Sequence, residues 1–206
     1  MTIEGDNEEV RVKAAEIISQ GGVIAFRTDT FYGLGADPLN AMAVRRILEL
    51  KGREDGKPIL LLISDRSEVD RFIRLQSSTF RKVSDQFWPG PLTLVGEARP
   101  ELPAELTAGT GTIGVRLPGD DEVRALVREC GGALTATSAN LSGQLPARSA
   151  AEVRNQFPRG LDLIIDDGVV TVTEASTVLD LSGPEPRLVR EGAIKRVALD
   201  AILPHE

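Results

Sequence analysis

The chain has 206 residues, a length that fits one ordinary domain with a substantial hydrophobic core. Hydrophobic residues make up 41% and charged residues 27%, as in an average globular protein, which excludes extensive disorder. Lys and Arg number 24 against 31 Asp and Glu, so the net charge of -7 excludes an overall basic field for nucleic acid or membrane, and any anion site is local.

The N-terminal residues 1–9 are acidic, whereas a secretory signal peptide begins with positive charge. No apolar run along the chain approaches the roughly 20 residues that a membrane-spanning helix needs. We therefore expect a cytoplasmic protein that has no membrane partner.

Helical and strand-like patterns alternate along the first part of the chain. Asn and Gly residues stand at the expected ends of its helices. In chain order the predicted elements are a helix capped by Asn7 and ended by Gly21-Gly22, a strand over 23–26, a loop over 27–36, a helix capped by Asn40 and ended near Lys51 by Gly52, and a strand over 59–63.

The same alternation continues to the C-terminal end. The predicted elements are two short helices within 65–88, a break at Trp88-Pro-Gly-Pro91, strands over 92–95, 113–117 and 133–137, a helix over 120–130, a helix begun by the Ser149 and Glu152 capping box, strands over 163–165, 177–181 and 188–189, and a last helix over 194–203. This order predicts one α/β domain over residues 1–206, with a mostly buried mixed sheet and flanking helices.

Cysteine and histidine counts exclude several kinds of chemistry. The sequence has one cysteine, Cys130, and one histidine, His205, so a single chain forms neither a disulfide nor a structural zinc site. His205 is the next-to-last residue, so a Ser-His-Asp or Cys-His unit would have to recruit a chain end. We expect Cys130, before a Gly-Gly pair at the end of a helical pattern, to serve packing.

Glycine spacing fits neither familiar phosphate motif. Gly33-Leu-Gly35 lacks the third glycine of a dinucleotide fingerprint, and the segment 52–57 has its second glycine too early for a P-loop, with Pro58 in place of Ser or Thr. That segment still places several cations close together, at what we expect to be an exposed junction of helix and loop. Such a cluster is able to bind an oligophosphate, but it is also typical of a solvated turn. These cations are Lys51, Arg53 and Lys57.

Other polar clusters adjoin predicted strands. They are Thr28-Asp-Thr30, Thr112 with Arg116, and the segment 135–140. Ligands of open α/β sheets bind beyond the carboxyl ends of strands, so these clusters are expected to face one crevice, although each also suits a local turn. A site of Thr, Ser, Asn, Lys and Arg without a nucleophile suits the positioning and charge stabilisation of a phosphoryl or nucleotidyl reaction.

Six motifs occur in order along residues 10–195: Thr28-Asp-Thr-Phe-Tyr-Gly-Leu-Gly35, Lys51-Gly-Arg53, Trp88-Pro-Gly-Pro-Leu-Thr93, Gly114-Val-Arg-Leu-Pro118, Thr137-Ser-Ala-Asn-Leu-Ser-Gly143 and Ser176-Thr-Val-Leu-Asp180. Together they resemble the YrdC-like threonylcarbamoyl-AMP synthase family in its short, single-domain form. The resemblance implies a twisted sheet with a concave ligand-binding face.

The resemblance implies a nucleotidyltransferase that converts ATP, L-threonine and bicarbonate to threonylcarbamoyl-AMP and pyrophosphate, with Mg²⁺. This is the first step of threonylcarbamoyladenosine formation in tRNA. A carbamate of threonine would attack the α-phosphate, so no enzyme nucleophile is needed. The expected partners are these substrates, tRNA or double-stranded RNA, and a separate transferase that receives the product.

Site roles carried over by motif divide into two groups. Lys51 and Arg53 are expected to act on the phosphates as catalytic residues. The ATP group consists of Lys51, Arg53, Lys57, Thr112, Asn140 and Arg190. The threonine group consists of Thr30, Arg116, Ser138 and Ser176, and no residue is assigned to a metal.

Three residues depart from the family pattern. Arg27 replaces a proline before Thr-Asp-Thr, Glu54 replaces a proline after Lys-Gly-Arg, and Leu62 replaces a threonine-contacting histidine of some members. Two alternatives therefore stay open. One is a structured-RNA or tRNA binding protein without catalysis, which uses a local patch of Lys and Arg. The other is a sister-branch relative with another amino acid or carbamoyl donor.

Overall fold

A computed structural model describes residues 1–52, 58–172 and 174–203. The helices are α1 Glu8–Ser19, α2 Ala41–Lys51, α3 Ser78–Phe87, α4 Ala104–Thr107, α5 Asp121–Glu129, α6 Ala150–Gln156 and α7 Arg196–Asp200, with a 3-10 helix at Arg66–Arg71. The strands are β1 Thr2–Gly5, β2 Ile24–Arg27, β3 Tyr32–Gly35, β4 Leu61–Ile63, β5 Leu92–Glu97, β6 Thr112–Arg116, β7 Ala133–Thr135, β8 Thr137–Ser138, β9 Leu163–Asp166, β10 Thr177–Asp180 and β11 Arg187–Arg190.

The strands form two mixed sheets. The first sheet has five strands in the order β1-β9-β2-β3-β8, and the second has six in the order β11-β10-β5-β6-β4-β7. Each sheet combines parallel pairs, such as β1 with β9 and β10 with β5, and antiparallel pairs, such as β2 with β3 and β5 with β6. The predicted α/β class with mixed strands and flanking helices is confirmed, but the strands form two mixed sheets where one was predicted.

Helix ends follow the predicted capping chemistry. The side chain of Asn7 accepts a hydrogen bond from the Val10 amide, and Asn40 accepts from the amides of Met42 and Ala43. Gly52 ends α2 in the left-handed region with φ 60, a conformation in which a Cβ would be strained. These caps fix where α2 delivers Lys51.

The predicted loop over 27–36 is wrong for Tyr32–Gly35, which form β3 antiparallel to β2. The glycines of β3 hide the alternation of side chains that marks a strand. A Cβ on Gly35 would lie 2.7 Å from Cε1 of Phe26, so close packing between the two strands requires this glycine. The short elements β1 and α4 were also not predicted, since neither carries a clear apolar period.

The predicted strand over 133–137 divides at Ala136 into β7 in the second sheet and β8 in the first. Thr135, fully buried, lies at the crossing: its hydroxyl accepts from the Ala36 amide at 2.8 Å and donates to the Leu34 carbonyl at 3.2 Å. These bonds satisfy backbone groups between the sheets. The crossing brings residues 136–138 to the place where both sheets meet.

The largest apolar cluster includes residues of both sheets, such as Ala25 and Leu34 from the first and Leu61 and Leu94 from the second. A second cluster packs α1 and α5 against the strands. Cys130 adjoins that cluster, and burial raises the pKa of its thiol to about 12. Within the described ranges, every helix is too short or too polar to cross a bilayer.

Candidate functional site

A cavity of about 850 Å³ lies where the two sheets meet. Its lining comes from β3 and β8 of the first sheet and from β4, β5, β6, β10 and β11 of the second. Sequence-predicted residues of both groups line it together: Thr30, Thr112, Arg116, Ser138, Ser176 and Arg190. Residues that are distant in the sequence thus converge on one space large enough for a small-molecule ligand.

Strand register explains the polar row on the floor of this cavity. Val178 of β10 pairs with Arg190 of β11 on one side and with Thr93 of β5 on the other. Leu94 pairs with Val115, so Thr93 and Arg116 also lie opposite each other in the antiparallel pair β5 and β6. Alternate residues of a strand share one face, and this row therefore sends two arginines to the same side of the sheet.

Arg116 is the buried cation of the site, with only 5% of its surface exposed. Its Nη2 lies 3.1 Å from Oδ1 of Asp29, an ion pair, although no described residue gives that oxygen an aligned hydrogen bond. Its Nη1 lies 3.4 Å from the hydroxyl of Thr30. Burial lowers the pKa of Arg116, and the Asp29 carboxylate offsets part of this effect. The guanidinium has more N–H donors than these contacts use.

Arg190 forms the second cationic position. It donates to the Ser176 carbonyl at 3.0 and 2.8 Å and to the Ser176 hydroxyl at 3.1 Å, and that hydroxyl lies 3.2 Å from the Thr93 hydroxyl. Burial lowers the pKa of Arg190, and the charge of Arg116 lowers it further. Two cations that repel each other across a cavity favour a bound anion between them.

Lys51 does not lie at an exposed junction as the sequence predicted, since only 4% of its surface is exposed. Its ammonium donates to the carbonyl of Asn140 at 3.0 Å and to that of Ser138. It lies behind the described lining of the cavity rather than on it. The expectation of exposure is wrong because the segment 138–142 folds back over the C-terminal end of α2, where the Lys51 carbonyl also accepts from the Ser142 amide at 3.1 Å.

Asn140 also lies behind the described lining of the cavity, and its side chain serves the loop that follows β8. Its Oδ1 accepts from the Ser138 hydroxyl at 2.5 Å, and its Nδ2 donates to the carbonyls of Leu141 and Gln144 at 2.9 Å each. These bonds place the Ser138 side chain at the edge of the cavity. The expected contact of Asn140 with ATP stays a prediction.

We expect Asn140→Ala to lower the unfolding midpoint, because it removes three hydrogen bonds of the loop after β8, one of which is partly buried. At a net loss of about 1 kcal/mol per bond, the free energy of unfolding falls by about 3 kcal/mol. Each kcal/mol lowers the midpoint by roughly 2 to 4 °C in a chain of this size. Thermal unfolding compared with Ser142→Ala measures this. An unchanged midpoint would mean that the loop is held in place by other contacts.

Arg53 and Lys57, and the departure Glu54, lie outside the described residues. Thr112 lines the cavity, and its hydroxyl lies 2.9 Å from that of Thr110. Leu62, another departure from the family pattern, pairs in register with Arg116 and presents an apolar side chain to the cavity. In the parts of the chain that the structure describes, no group of three or more His, Cys, Asp and Glu residues is arranged to hold a metal ion.

Some residues of the site were not assigned from the sequence. Asp29 lies inside the Thr28-Asp-Thr30 motif, so the sequence marked its position but not its ion pair with Arg116. Arg27 donates to Asp167 at 2.5 Å and to Asp120 at 2.9 Å, and so ties the segment before Asp29 to α5 and to the turn after β9. This replacement of a proline therefore has a structural function. Asp180 and Arg187 also line the cavity.

Comparison with known proteins identifies relatives of this chain. The Sua5/YciO/YrdC family model, described as telomere recombination, matches residues 16–192. The threonylcarbamoyl-AMP synthase of Thiobacillus denitrificans is 41% identical over 165 residues, 80% of this chain and 87% of that protein.

Solved structures agree with this result. P. abyssi Sua5 complexed with L-threonine matches with a TM-score of 0.93 and 32% identity, over 98% of this chain and 61% of that one. This chain therefore spans about three fifths of the P. abyssi Sua5 chain. E. coli YciO matches with a TM-score of 0.82 and 28% identity, over 94% of each chain.

Proposed function

The chain belongs to the Sua5/YciO/YrdC family, and we propose that it is a threonylcarbamoyl-AMP synthase. It converts ATP, L-threonine and bicarbonate to threonylcarbamoyl-AMP and pyrophosphate. The observation that carries this proposal is the pair of arginines that face one cavity in a chain of net charge -7: Arg116, which is buried, and Arg190, whose contact with Ser176 is partly buried. Relatives named threonylcarbamoyl-AMP synthase support the choice of reaction.

Threonine occupies the end of the cavity beside Arg116. A guanidinium binds a carboxylate with two parallel hydrogen bonds, and the ion pair with Asp29 helps to hold the Arg116 guanidinium in place. The hydroxyls of Thr30, Ser138 and Ser176 line the same space and are able to donate to or accept from the substrate hydroxyl and amine. A P. abyssi Sua5 structure described as complexed with L-threonine supports this assignment.

The nucleotide occupies the remainder of the cavity. Arg190 and Thr112 line it, and Asn140 and Lys51 hold the segment that presents Ser138. Arg53 and Lys57, which lie outside the described residues, supply further cations to the phosphates in this proposal. Arginine and lysine suit this task because charge on the phosphate oxygens rises during the reaction.

The chemistry needs no side-chain nucleophile. The amine of threonine combines with bicarbonate to give a carbamate and water, and a carbamate oxygen then attacks the α-phosphorus while the bond to pyrophosphate breaks. The protein contributes orientation and charge stabilisation. Mg²⁺ enters with ATP in this proposal, because Mg²⁺ is commonly bound by substrate phosphates and water, with only one or two carboxylates from the protein.

We propose further that residues 1–206 form one domain, since the largest apolar cluster joins residues of both sheets. The product passes to a separate threonylcarbamoyl transferase, and tRNA or double-stranded RNA contacts the exposed arginines that line the cavity, Arg187 and Arg190. The cytoplasmic location expected from the sequence stays a prediction.

The test is pyrophosphate release together with capture of carbon-14 bicarbonate across a panel of amino acids. We expect release only when threonine, bicarbonate and Mg²⁺ are all present. Serine should react about 10 to 200-fold less efficiently than threonine if the methyl group alone distinguishes them, and valine should be poorer still because it lacks the hydroxyl.

Orthophosphate as the product, or turnover that does not depend on bicarbonate, would contradict the proposal. Salt-dependent RNA binding without ATP turnover would instead favour an RNA-binding protein. Turnover with another amino acid in preference to threonine would favour a sister-branch relative.

A further inference from the structure

A carboxylate, Asp180, lines the cavity that the proposed reaction fills with anions. Its Oδ1 accepts from the amide and hydroxyl of Ser182 at 3.0 and 2.6 Å, and its Oδ2 accepts from Nη2 of Arg187 at 2.8 Å. Burial acts to raise the pKa of Asp180, but the bonds from Ser182 and Arg187 outweigh it and hold the pKa below its ordinary value. The group is therefore a fixed, ionised acceptor at neutral pH.

An ionised acceptor repels phosphate and carboxylate oxygens and attracts N–H and O–H donors. The donors among the proposed substrates are the threonine amine and hydroxyl, the ribose hydroxyls and the adenine amino group. Register separates Asp180 from the amino acid. Asp180 pairs with Val95 and Val95 with Gly114, whereas Arg116 is two residues beyond Gly114.

Two strand spacings and two residues place the Cα atoms of Asp180 and Arg116 about 12 Å apart. A threonine whose carboxylate is bound by Arg116 has its amine too near that guanidinium to reach Asp180. Arg190, which is expected to bind ATP, lies nearer to Asp180. It is on the adjacent strand β11 and pairs with Val178, two residues before Asp180.

The floor beside Asp180 is apolar and has no side chain at Gly114. Val95 and Gly114 form it together with Leu60, and a Cβ on Gly114 would lie 2.5 Å from Cδ2 of Leu60. An apolar floor with a carboxylate at its edge suits a nucleoside, whose base covers the floor and whose vicinal diol meets the carboxylate. We propose that Asp180, oriented by Ser182 and Arg187, accepts a hydrogen bond from the ribose hydroxyls of the nucleotide.

This inference rests on ATP as the substrate in the proposed function, so its test measures binding rather than turnover. Equilibrium titrations use ATP, 2′-deoxy-ATP, 3′-deoxy-ATP and inosine triphosphate, which lacks the amino group of the base. The proteins are the full chain, Asp180→Asn, and Asp85→Asn, which alters a surface ion pair with Arg66 outside the cavity lining.

We expect the unaltered chain to bind ATP about 10-fold more tightly than at least one deoxynucleotide, because the loss of one charge-assisted hydrogen bond weakens binding by about this factor. Asp180→Asn should weaken ATP binding by about the same factor and leave the deoxynucleotide unchanged, so that the two bind alike. Asp85→Asn should keep the original ratio. Inosine triphosphate should respond to Asp180→Asn in the same way as ATP.

Equal binding of ATP and both deoxynucleotides by the unaltered chain overturns the proposal without need of any variant. The proposal is also overturned if Asp180→Asn leaves the ratio of ATP to deoxynucleotide affinity unchanged. It is overturned as well if Asp180→Asn weakens the binding of ATP but not of inosine triphosphate, because the carboxylate would then contact the base. Ribose discrimination without pyrophosphate release contradicts the synthase alone. Pyrophosphate release without ribose discrimination contradicts the ribose contact alone.

Discussion

Arg116→Ala is expected to reduce the kcat/KM for threonine by about 100-fold or more and to destabilise the protein at the same time. The catalytic loss follows from two charge-assisted hydrogen bonds to the substrate carboxylate, each of which contributes about 1.5 to 3 kcal/mol. The loss of stability follows from Asp29, whose carboxylate has Arg116 within 3.1 Å and keeps 15% of its side-chain surface exposed.

Removing one partner of a buried ion pair leaves the other charge uncompensated and costs about 3 kcal/mol at the lower end of the usual range. We expect the unfolding midpoint of Arg116→Ala to fall by roughly 2 to 4 °C for each kcal/mol. Arg74→Ala is the matched control, because Arg74 pairs with Glu97 at the surface. A surface pair contributes about 0 to 1 kcal/mol, so this variant should keep both activity and midpoint.

The double variant Arg116→Ala with Asp29→Asn separates the two effects. It removes the unpaired charge, so the midpoint should recover most of its loss while the activity stays low. Recovery of activity together with stability would mean that Arg116 serves the fold and that threonine binds elsewhere. An unchanged midpoint in Arg116→Ala would mean that Asp29 is solvated enough to need no partner.

Elements with local signals could be predicted from the sequence, and elements that depend on distant partners could not. Asn7 and Asn40 cap their helices as predicted, because a cap is decided within three residues. The strand β3 depends instead on pairing with β2 and on Gly35 packing against Phe26. The division of 133–137 between two sheets depends on Thr135 bonding to backbone about 100 residues earlier, which no local pattern contains.

The candidate site shows the same limit. The strand-end clusters predicted that Thr30 and Arg116 face one crevice, whereas Ser176 was assigned to the site only through the family resemblance. The register of β5, β6 and β10 explains how Arg116 and Ser176 meet in one cavity. The interpretation of Lys51 was wrong in its surroundings, because exposure depends on the segment 138–142, which is remote in sequence. A charged residue beside glycines gives no signal of such burial.

Lys51→Met is expected to lower stability and to loosen the segment that presents Ser138. Only 4% of the surface of Lys51 is exposed, and its ammonium donates to the carbonyls of Ser138 and Asn140. A hydrogen bond to a charged group contributes about 1.5 to 3 kcal/mol, and a hydrophobic replacement leaves both carbonyls without this donor. We expect a loss of about 2 to 4 kcal/mol and faster amide exchange over residues 138–144.

Lys13→Met is the control for Lys51→Met, because Lys13 pairs with Glu4 at the surface and should be dispensable for stability. Pyrophosphate release should fall at least about 10-fold in Lys51→Met, as one charge-assisted contact with a phosphate or with the Ser138 segment is lost. The exchange measurement distinguishes the two causes. Normal exchange and a normal midpoint with lost turnover would show that Lys51 acts on the phosphates directly, as the family motif implies, rather than by holding the loop beside them.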